Sequence, residues 1–183
     1  MDVNFNYREP ASVEPIYIEQ VYAEKPGGGL VVSGPTDIKP STAVGLNADG
    51  KYAPIKAYRL VDAVTADDTT IKIAKGSGIA VGDVIANLKK GVACTAVDTS
   101  RADYDTVTVT MGVAIKANTV LYQAKSAGTS ATPIYTPEYV IGNVVPANSG
   151  DYPVRLINGA NLRKETAMIS AEVVAMLPTI KLV

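Results

Sequence analysis

The sequence predicts a mainly β protein, a barrel or sandwich of short antiparallel strands joined by hairpins, with one short C-terminal helix followed by a terminal strand. The 183 residues include 23 Val, 14 Ile and 16 Thr but only 9 Leu, and branching at Cβ favours a pleated strand over a helix. Short alternating segments recur between turns, a spacing typical of sandwiches and barrels. Hydrophobic residues make up 47% of the chain, enough to bury an apolar core.

The N-terminal part predicts an arm, a first strand and a hairpin. Residues 1–15 are polar and contain two prolines, so we expect an extended arm. Residues 15–23, "PIYIEQVYA", alternate as a first strand, and the three glycines that follow soon after interrupt the chain because of their backbone entropy. Asp49-Gly50 predicts a type I′ hairpin turn, which needs positive φ at both central positions. Pro54 marks the second arm of this hairpin as an edge or a bulge.

Residues 16–125 are expected to form one β-rich domain that contains two similar β units, at about 63–86 and 96–124. Each unit begins with Ala-Val and a polar turn with acidic residues, and continues in a strand that alternates Thr, Ile and Val. A second apolar strand then ends each unit, and "VGDVIA" at 81–86 corresponds to "KANTVLY" at 116–122. Repeated strand units of this kind favour a barrel or sandwich.

Residues 126–183 are expected to form a connector and a strand-helix-strand tail. Asn158-Gly159 predicts a second hairpin turn. The segment from Ser170 to Leu177 predicts the helix, because Ser170 is a good N-cap and the proline after the segment stops it. The last residues, "TIKLV", alternate as the closing strand.

The composition excludes the common catalytic and metal-binding arrangements. The chain has no His, no Trp and one Cys, so Ser-His-Asp and Cys-His arrangements and the usual zinc sites cannot form. Cys94 lies in the apolar run "GVACTAV", and we expect a small buried core residue there. We therefore predict no catalytic, cofactor-binding or metal-binding residue.

Charge and hydropathy argue against nucleic acid and membrane as partners. With 17 basic and 18 acidic residues, the net charge is -1, which gives no global field to attract nucleic acid or anionic lipid. No apolar segment approaches the ~18 residues that a membrane-spanning helix needs. The start of the chain lacks the basic and apolar regions of a secretory signal.

The stretch "IKIAKGSGIAVGD", residues 71–83, has the outline of a dinucleotide-binding loop, with an aspartate 20 positions after Gly78. Such a loop works only where it opens a helix whose N-terminal amides hold the pyrophosphate. Twelve residues separate Gly78 from Gly91, which leaves almost no room for a crossover helix. We therefore interpret Gly76, Gly78 and Gly82 as hairpin turns.

Clustered aspartates form a second candidate site. Asp98, Asp103 and Asp105 could gather around calcium, but they lack the spacing and central glycine of an EF-hand. We interpret them as a solvated turn whose aspartates bond their own backbone. Asp67-Asp68 has the same interpretation.

The ten tyrosines are candidates for subunit or partner contact, because tyrosine offers a large apolar face with a polar tip. The alternative is that they are ordinary half-buried strand residues. The candidates are tyrosines that lie outside the two repeated units, namely Tyr7, Tyr17, Tyr22, Tyr135, Tyr139 and Tyr152.

Three ordered segments carry a resemblance to a known family. They are "TAVGLNADGKYAPIKAYRLVDAVTADDTTIKIAKGSGIAVGDVIA" at 42–86, "AVDTSRADYDTVTVT…GVAIKANTVLYQA" at 96–124 and "NGANLRKETAMISAEVVAMLPTIKLV" at 158–183. Together they resemble the head fibre or head decoration proteins of tailed bacteriophages and of prophages of gut bacteria. The resemblance covers roughly residues 40–183 and depends on turn and strand signatures.

The resemblance implies a virion protein that is made in the host cytoplasm, sits on the outer capsid surface and has no enzymatic activity or cofactor. Such proteins are commonly homo-oligomers, often trimers, and their partner is the major capsid protein. The C-terminal tail would then pack in the oligomer, and the arm at 1–15 is expected to attach to the capsid by ordering on contact. The alternative is a glycan-binding or adhesion module on a phage or cell surface, and a nucleotide-dependent enzyme is a distant third.

Overall fold

The computed structural model describes residues 15–183, and in this part fifteen strands and one short helix form three sheets. The prediction of a mainly β fold, with a short helix near the C-terminus followed by a terminal strand, is confirmed. The predicted arm lies outside the described residues except for Pro15. The elements are β1 (Ile18–Glu24), β2 (Gly29–Val32), β3 (Ala43–Leu46), β4 (Tyr52–Pro54), β5 (Ala57–Arg59), β6 (Thr70–Ala74), β7 (Val84–Asn87), β8 (Lys90–Ala93), β9 (Ala96–Asp98), β10 (Tyr104–Thr108), β11 (Val120–Ala124), β12 (Tyr139–Ile141), β13 (Asp151–Val154), β14 (Leu156–Leu162), α1 (Ala171–Val174) and β15 (Ile180–Leu182).

The eight-stranded sheet combines the two ends of the described chain. Its order is β1-β14-β12-β3-β4-β2-β13, and β15 lies parallel to β14. Strands β1 to β4 precede the predicted boundary at residue 125 and β12 to β15 follow it, so this boundary does not separate the sheets. Strands β1 and β13 lie at the two ends of this order, β15 forms a further edge beside β14, and Pro153 removes one backbone donor from β13.

The two smaller sheets lie between the ends in sequence, with orders β6-β10-β9 and β5-β11-β7-β8. Strand β6 of the first predicted unit pairs with β10 of the second, and β7 pairs with β11. Ala86 lies opposite Tyr122, and these are corresponding positions of "VGDVIA" and "KANTVLY". Two related units folded around an approximate twofold axis would pair in this way.

The three sheets are layered around shared cores. Strand β11 buries both faces: Leu121 belongs to a core with β6 and β10, and Tyr122 belongs to a core with β14. The four-stranded sheet therefore lies between the other two. The core toward the three-stranded sheet contains Tyr58, Leu60, Val64, Ile71, Ile73, Ile85, Cys94, Val107, Val109, Met111, Ile115 and Leu121.

A four-residue turn recurs immediately before several strands. Its third residue has positive φ at Ser41 (70°), Gly82 (92°), Asn118 (61°) and Asn148 (54°), as a type II turn requires at that position. The fourth residue often bonds back to the first: the Thr42 hydroxyl donates to a carbonyl oxygen three residues earlier at 2.8 Å. Each turn positions the strand that follows it.

The hairpin predicted at Asp49-Gly50 is present, because β3 and β4 pair antiparallel. Its turn is not type I′, since only Gly50 has positive φ (72°). The Asn47 side chain instead accepts hydrogen bonds from the Asp49 and Lys51 amides at 3.0 and 2.9 Å. This side-chain bonding stabilises a longer turn in which one glycine is sufficient.

The hairpin turn predicted at Asn158-Gly159 is wrong, because both residues lie inside β14. The glycine serves close packing instead of a turn. A Cβ on Gly159 would lie 3.2 Å from the Cβ of Ala23 in β1, where the pairing of the two strands is irregular. Glycine inside a strand often marks such an approach.

The C-terminal helix begins where the sequence predicts and ends earlier. Ser170 is the N-cap, and its side-chain oxygen accepts a hydrogen bond from the Val173 amide at 3.2 Å. The α-helical residues are Ala171–Val174 only, and the chain reaches Pro178 through further turns. Strand β15 then buries Ile180.

Candidate functional site

The glycine-rich stretch changes sheets without forming a helix. Strand β6 ends at Ala74, β7 begins at Val84, and no helix lies between them. The interpretation of Gly76 and Gly78 as turns holds, since both have positive φ (79° and 65°). They do not form a hairpin, however, because β6 pairs with β10 whereas β7 pairs with β11 and β8.

These glycines line a cavity of about 50 Å³ together with Lys39 and Lys56. Ligand pockets usually measure about 300–1,000 Å³, so this cavity is too small for a dinucleotide. The outline of a nucleotide loop therefore comes from a turn between two β sheets.

The aspartates do not gather into one site. Asp98 accepts a hydrogen bond from the Ser100 amide at 2.9 Å, which lowers the pKa of its carboxyl, and Asp68 accepts one from the Thr65 amide. Asp68 belongs to a turn, as predicted, whereas Asp98 is the last residue of β9 and pairs with Thr106. Asp105 is not in a solvated turn: it is buried in β10 and pairs with Lys75 at 2.5 Å. Among residues 15–183, no three His, Cys, Asp or Glu side chains are placed to hold a metal ion.

Asp83 forms a buried polar network that the sequence analysis missed. Its Oδ2 accepts hydrogen bonds from Lys56 Nζ (2.8 Å), Tyr58 Oη (3.0 Å) and the Ala80 amide (3.0 Å), and its Oδ1 accepts one from Gln123 Nε2 (3.1 Å). The carboxylate side chain is 13% exposed. Burial raises the pKa of the Tyr58 hydroxyl far above its usual value, and the negative charge of Asp83 raises this pKa further.

This network joins β5, β11 and the turn before β7. A carboxylate has about four lone-pair sites, and four donors contact this one, three at Oδ2 and one at Oδ1. Asp83 is therefore arranged to hold strands together. The available sequence signal is its place in the recurrent turn, where the equivalent residues are Thr42 and Thr119.

Cys94 is buried, as predicted. Its Sγ donates a hydrogen bond to the Ala96 carbonyl oxygen at 3.3 Å. Burial raises the pKa of the thiol, which disfavours the nucleophilic thiolate.

The tyrosines divide between core and surface. Tyr58 and Tyr122 are buried, and the Tyr52 and Tyr139 rings contact edge to face with centroids 5.6 Å apart. Tyr22 is 56% exposed, and it is the one exposed tyrosine within residues 15–183. The remaining predicted contact tyrosines are half-buried, apart from Tyr7, which lies outside the described residues.

The first candidate surface is the outer side of β1, called the β1 edge and defined by Ile16 and β1 itself. Within the described residues β1 pairs with β14 on one side only. Glu24 holds it there through an ion pair with Arg155 at 2.8 Å. Ile16 is exposed beside this edge.

An open hollow of about 360 Å³ adjoins Tyr22. Its polar side chains are Asn158, Thr179 and Lys181. The exposed aromatic ring therefore lies beside groups that can donate or accept hydrogen bonds.

The second candidate surface is an apolar groove of about 610 Å³ beside the β7–β8 hairpin, called the Leu88 groove. Leu88 is 67% exposed at the hairpin tip, and Met176 is 47% exposed after α1. Leu88 has a φ of 52°, a left-handed conformation that costs a non-glycine residue roughly 1–2 kcal/mol. The groove is lined by Leu88, Lys89, Tyr122, Ala131, Thr132, Pro133, Glu172, Ala175 and Met176.

Comparison with protein-family models finds no match for the chain, and comparisons with curated proteins and solved structures find no significant match either. Within residues 15–183, α1 is far shorter than a helix that could cross a bilayer. The two surfaces are thus interpreted from their own geometry and chemistry.

Proposed function

We propose that the chain is a non-enzymatic virion structural protein that binds the outer surface of a phage capsid, as a homotrimer, after synthesis in the host cytoplasm. Its partners are then other copies of itself and the major capsid protein, and it uses no cofactor. The observation that carries the proposal is the β1 edge, a seven-residue edge strand that follows directly after the arm. The resemblance to head fibre and head decoration proteins supports the same function.

The β1 edge suits attachment because no strand within residues 15–183 pairs with it, and such an edge offers a row of backbone donors and acceptors to another chain. β1 contains no proline, unlike β13 at the opposite edge with its Pro153. An extended arm that orders on contact could bind next to this edge, and recognition would combine main-chain bonds with side-chain pockets. Attachment of this kind requires no catalytic group, and the buried carboxylate of Asp83 already has its four donors.

Deleting residues 1–15 is expected to leave a folded, soluble oligomer that no longer binds capsids. Every strand of the described fold begins after residue 15, so the strand signal in circular dichroism and the number of subunits, obtained from the solution mass, should remain unchanged. Binding is measured by co-sedimentation with empty capsids of the phage or prophage that encodes the chain. The matched control is a variant in which the sequence of residues 1–14 is scrambled, which keeps the length and charge of the native chain. Capsid binding that survives the deletion would contradict the assigned role of the arm.

The second candidate function is glycan binding or adhesion, and it is favoured by the position of Tyr22 beside a hollow with three polar side chains, Asn158, Thr179 and Lys181. An apolar ring face can stack on a sugar ring, and the amide, hydroxyl and ammonium groups nearby can bond its hydroxyls. On a glycan array, this function predicts saturable binding to one sugar class that Tyr22→Ala abolishes. Leu30→Ala, which removes another exposed apolar side chain, is the control and should leave binding intact. An array without saturable binding excludes adhesion through the sugars it presents.

A further inference from the structure

We infer that the Leu88 groove is the surface through which this chain binds a second copy of itself. The inference deepens the proposed function, because it assigns the oligomer contact to one face of the molecule. The observations that carry it are a strained exposed leucine, a rigid support beneath this leucine and a rim with charges of both signs.

Leu88 occupies a position that suits glycine. Leu88 and Lys89 form the two-residue turn of the β7–β8 hairpin, in which Asn87 lies opposite Lys90. Two-residue hairpin turns favour glycine where the first central residue has positive φ, and Leu88 has a φ of 52°. An exposed leucine gains no burial in the single chain to offset this strain. Strained residues of this kind cluster at functional sites, and burial against a partner would supply the missing gain.

The hairpin tip is held from both sides. The Leu88 amide donates a hydrogen bond to Glu172 Oε1 of α1 at 3.0 Å, and the Leu88 carbonyl oxygen accepts one from Tyr122 Oη at 2.5 Å. The leucine side chain is thus presented from a fixed backbone. A preformed contact loses less conformational entropy when it binds.

The surface around Leu88 combines a ridge with hollows on either side. The Leu88 groove lies toward Met176, and a second hollow of about 280 Å³ lies toward Val113 and Ala114. Leu88 lines both hollows. The ridge of one copy can therefore enter a hollow of another, and both then bury apolar side chains.

The charges at the rim identify a second copy as the occupant. Lys89 and Lys90 lie on the hairpin and Glu172 lies on α1. Beyond α1, a further hollow contains Lys164 and Glu165. In a trimer, the lysines of one copy can then lie against the glutamates of the next copy around the threefold axis. An apolar centre with a charged rim is the usual anatomy of a protein interface.

The test replaces Leu88 with glycine, which removes the side chain and relieves the strained φ. The proposal predicts a dissociation constant of the oligomer at least about tenfold higher, measured by sedimentation equilibrium. Thermal unfolding of the dissociated chain should stay unchanged or shift upward, because glycine adopts this conformation readily. Met176→Glu, on the opposite wall of the groove, should also dissociate the oligomer. Val81→Asp is the control: it changes an equally exposed apolar residue, which precedes β7, and should leave the oligomer intact.

Three results would overturn the inference. They are a native chain that stays monomeric at high concentration, an oligomer that is unchanged in both Leu88→Gly and Met176→Glu, and loss of capsid binding from a native monomer on either substitution. Loss of capsid binding from a native monomer would show that the groove binds the capsid. The proposed function is tested separately, since loss of capsid binding in the deletion variant is independent of whether Leu88→Gly dissociates the oligomer.

Discussion

Replacing Asp83 with alanine is expected to destabilise the fold by about 3 kcal/mol, the lower end of the effect of breaking a buried ion pair, because the side chains of Asp83 and Lys56 are still 13% and 25% exposed. The substitution removes the acceptor for Lys56, Tyr58 and Gln123 together. Buried donors without acceptors lose the solvation that they have in the unfolded chain. For a chain of this length, the loss corresponds to a fall of roughly 6–12 °C in the unfolding midpoint. Calorimetry and urea titration measure both quantities.

Two further variants separate the charge from the hydrogen bonds. Asp83→Asn keeps the shape and one oxygen acceptor, so its effect should fall between those of the native chain and Asp83→Ala. Asp62→Ala breaks an exposed ion pair with Lys72, in which both side chains reach solvent, and should cost less than about 1 kcal/mol. Equal effects of Asp83→Ala and Asp62→Ala would show that the buried network does not stabilise the fold.

The elements that the sequence predicts correctly are those with local causes. The strand content follows from Cβ branching, the β3–β4 hairpin from Gly50, and the start of α1 from the Ser170 cap. The hairpin predicted at Asn158-Gly159 fails because its cause is not local. That glycine accommodates Ala23, more than a hundred positions earlier in the chain, and a turn dipeptide does not reveal such a neighbour.

The candidate site was predictable only in part for the same reason. The stretch at 71–83 that ends in Asp83 is correctly interpreted as containing turns, but the partner Gln123 is 40 positions away from Asp83. Leu88 becomes a candidate only when the β7–β8 hairpin and the exposure of the Leu88 side chain are known. The sequence "VGD" at 81–83 indicates that the chain bends there. The pairing of the strands decides which residues this bend contacts.

The pairing of the two repeated units leads to the second large expected effect. Ile85 in β7 and Leu121 in β11 occupy corresponding positions of "VGDVIA" and "KANTVLY", and neither side chain is accessible to solvent. Both belong to the core shared with the three-stranded sheet. If the units are equivalent around an approximate twofold axis, the two side chains perform the same packing role and their removal should have similar consequences.

Ile85→Ala and Leu121→Ala are each expected to lower the free energy of unfolding by about 2–5 kcal/mol, because each leaves a cavity in a core that relaxes only partly. Val81→Ala, at a position 65% exposed, is the matched control and should change the free energy by less than about 0.5 kcal/mol. Urea unfolding followed by circular dichroism gives the three values. A large loss at one core position with a small loss at the other would show that the units are not equivalent in packing. The antiparallel pairing of β7 with β11 would then show only that the two strands match in register.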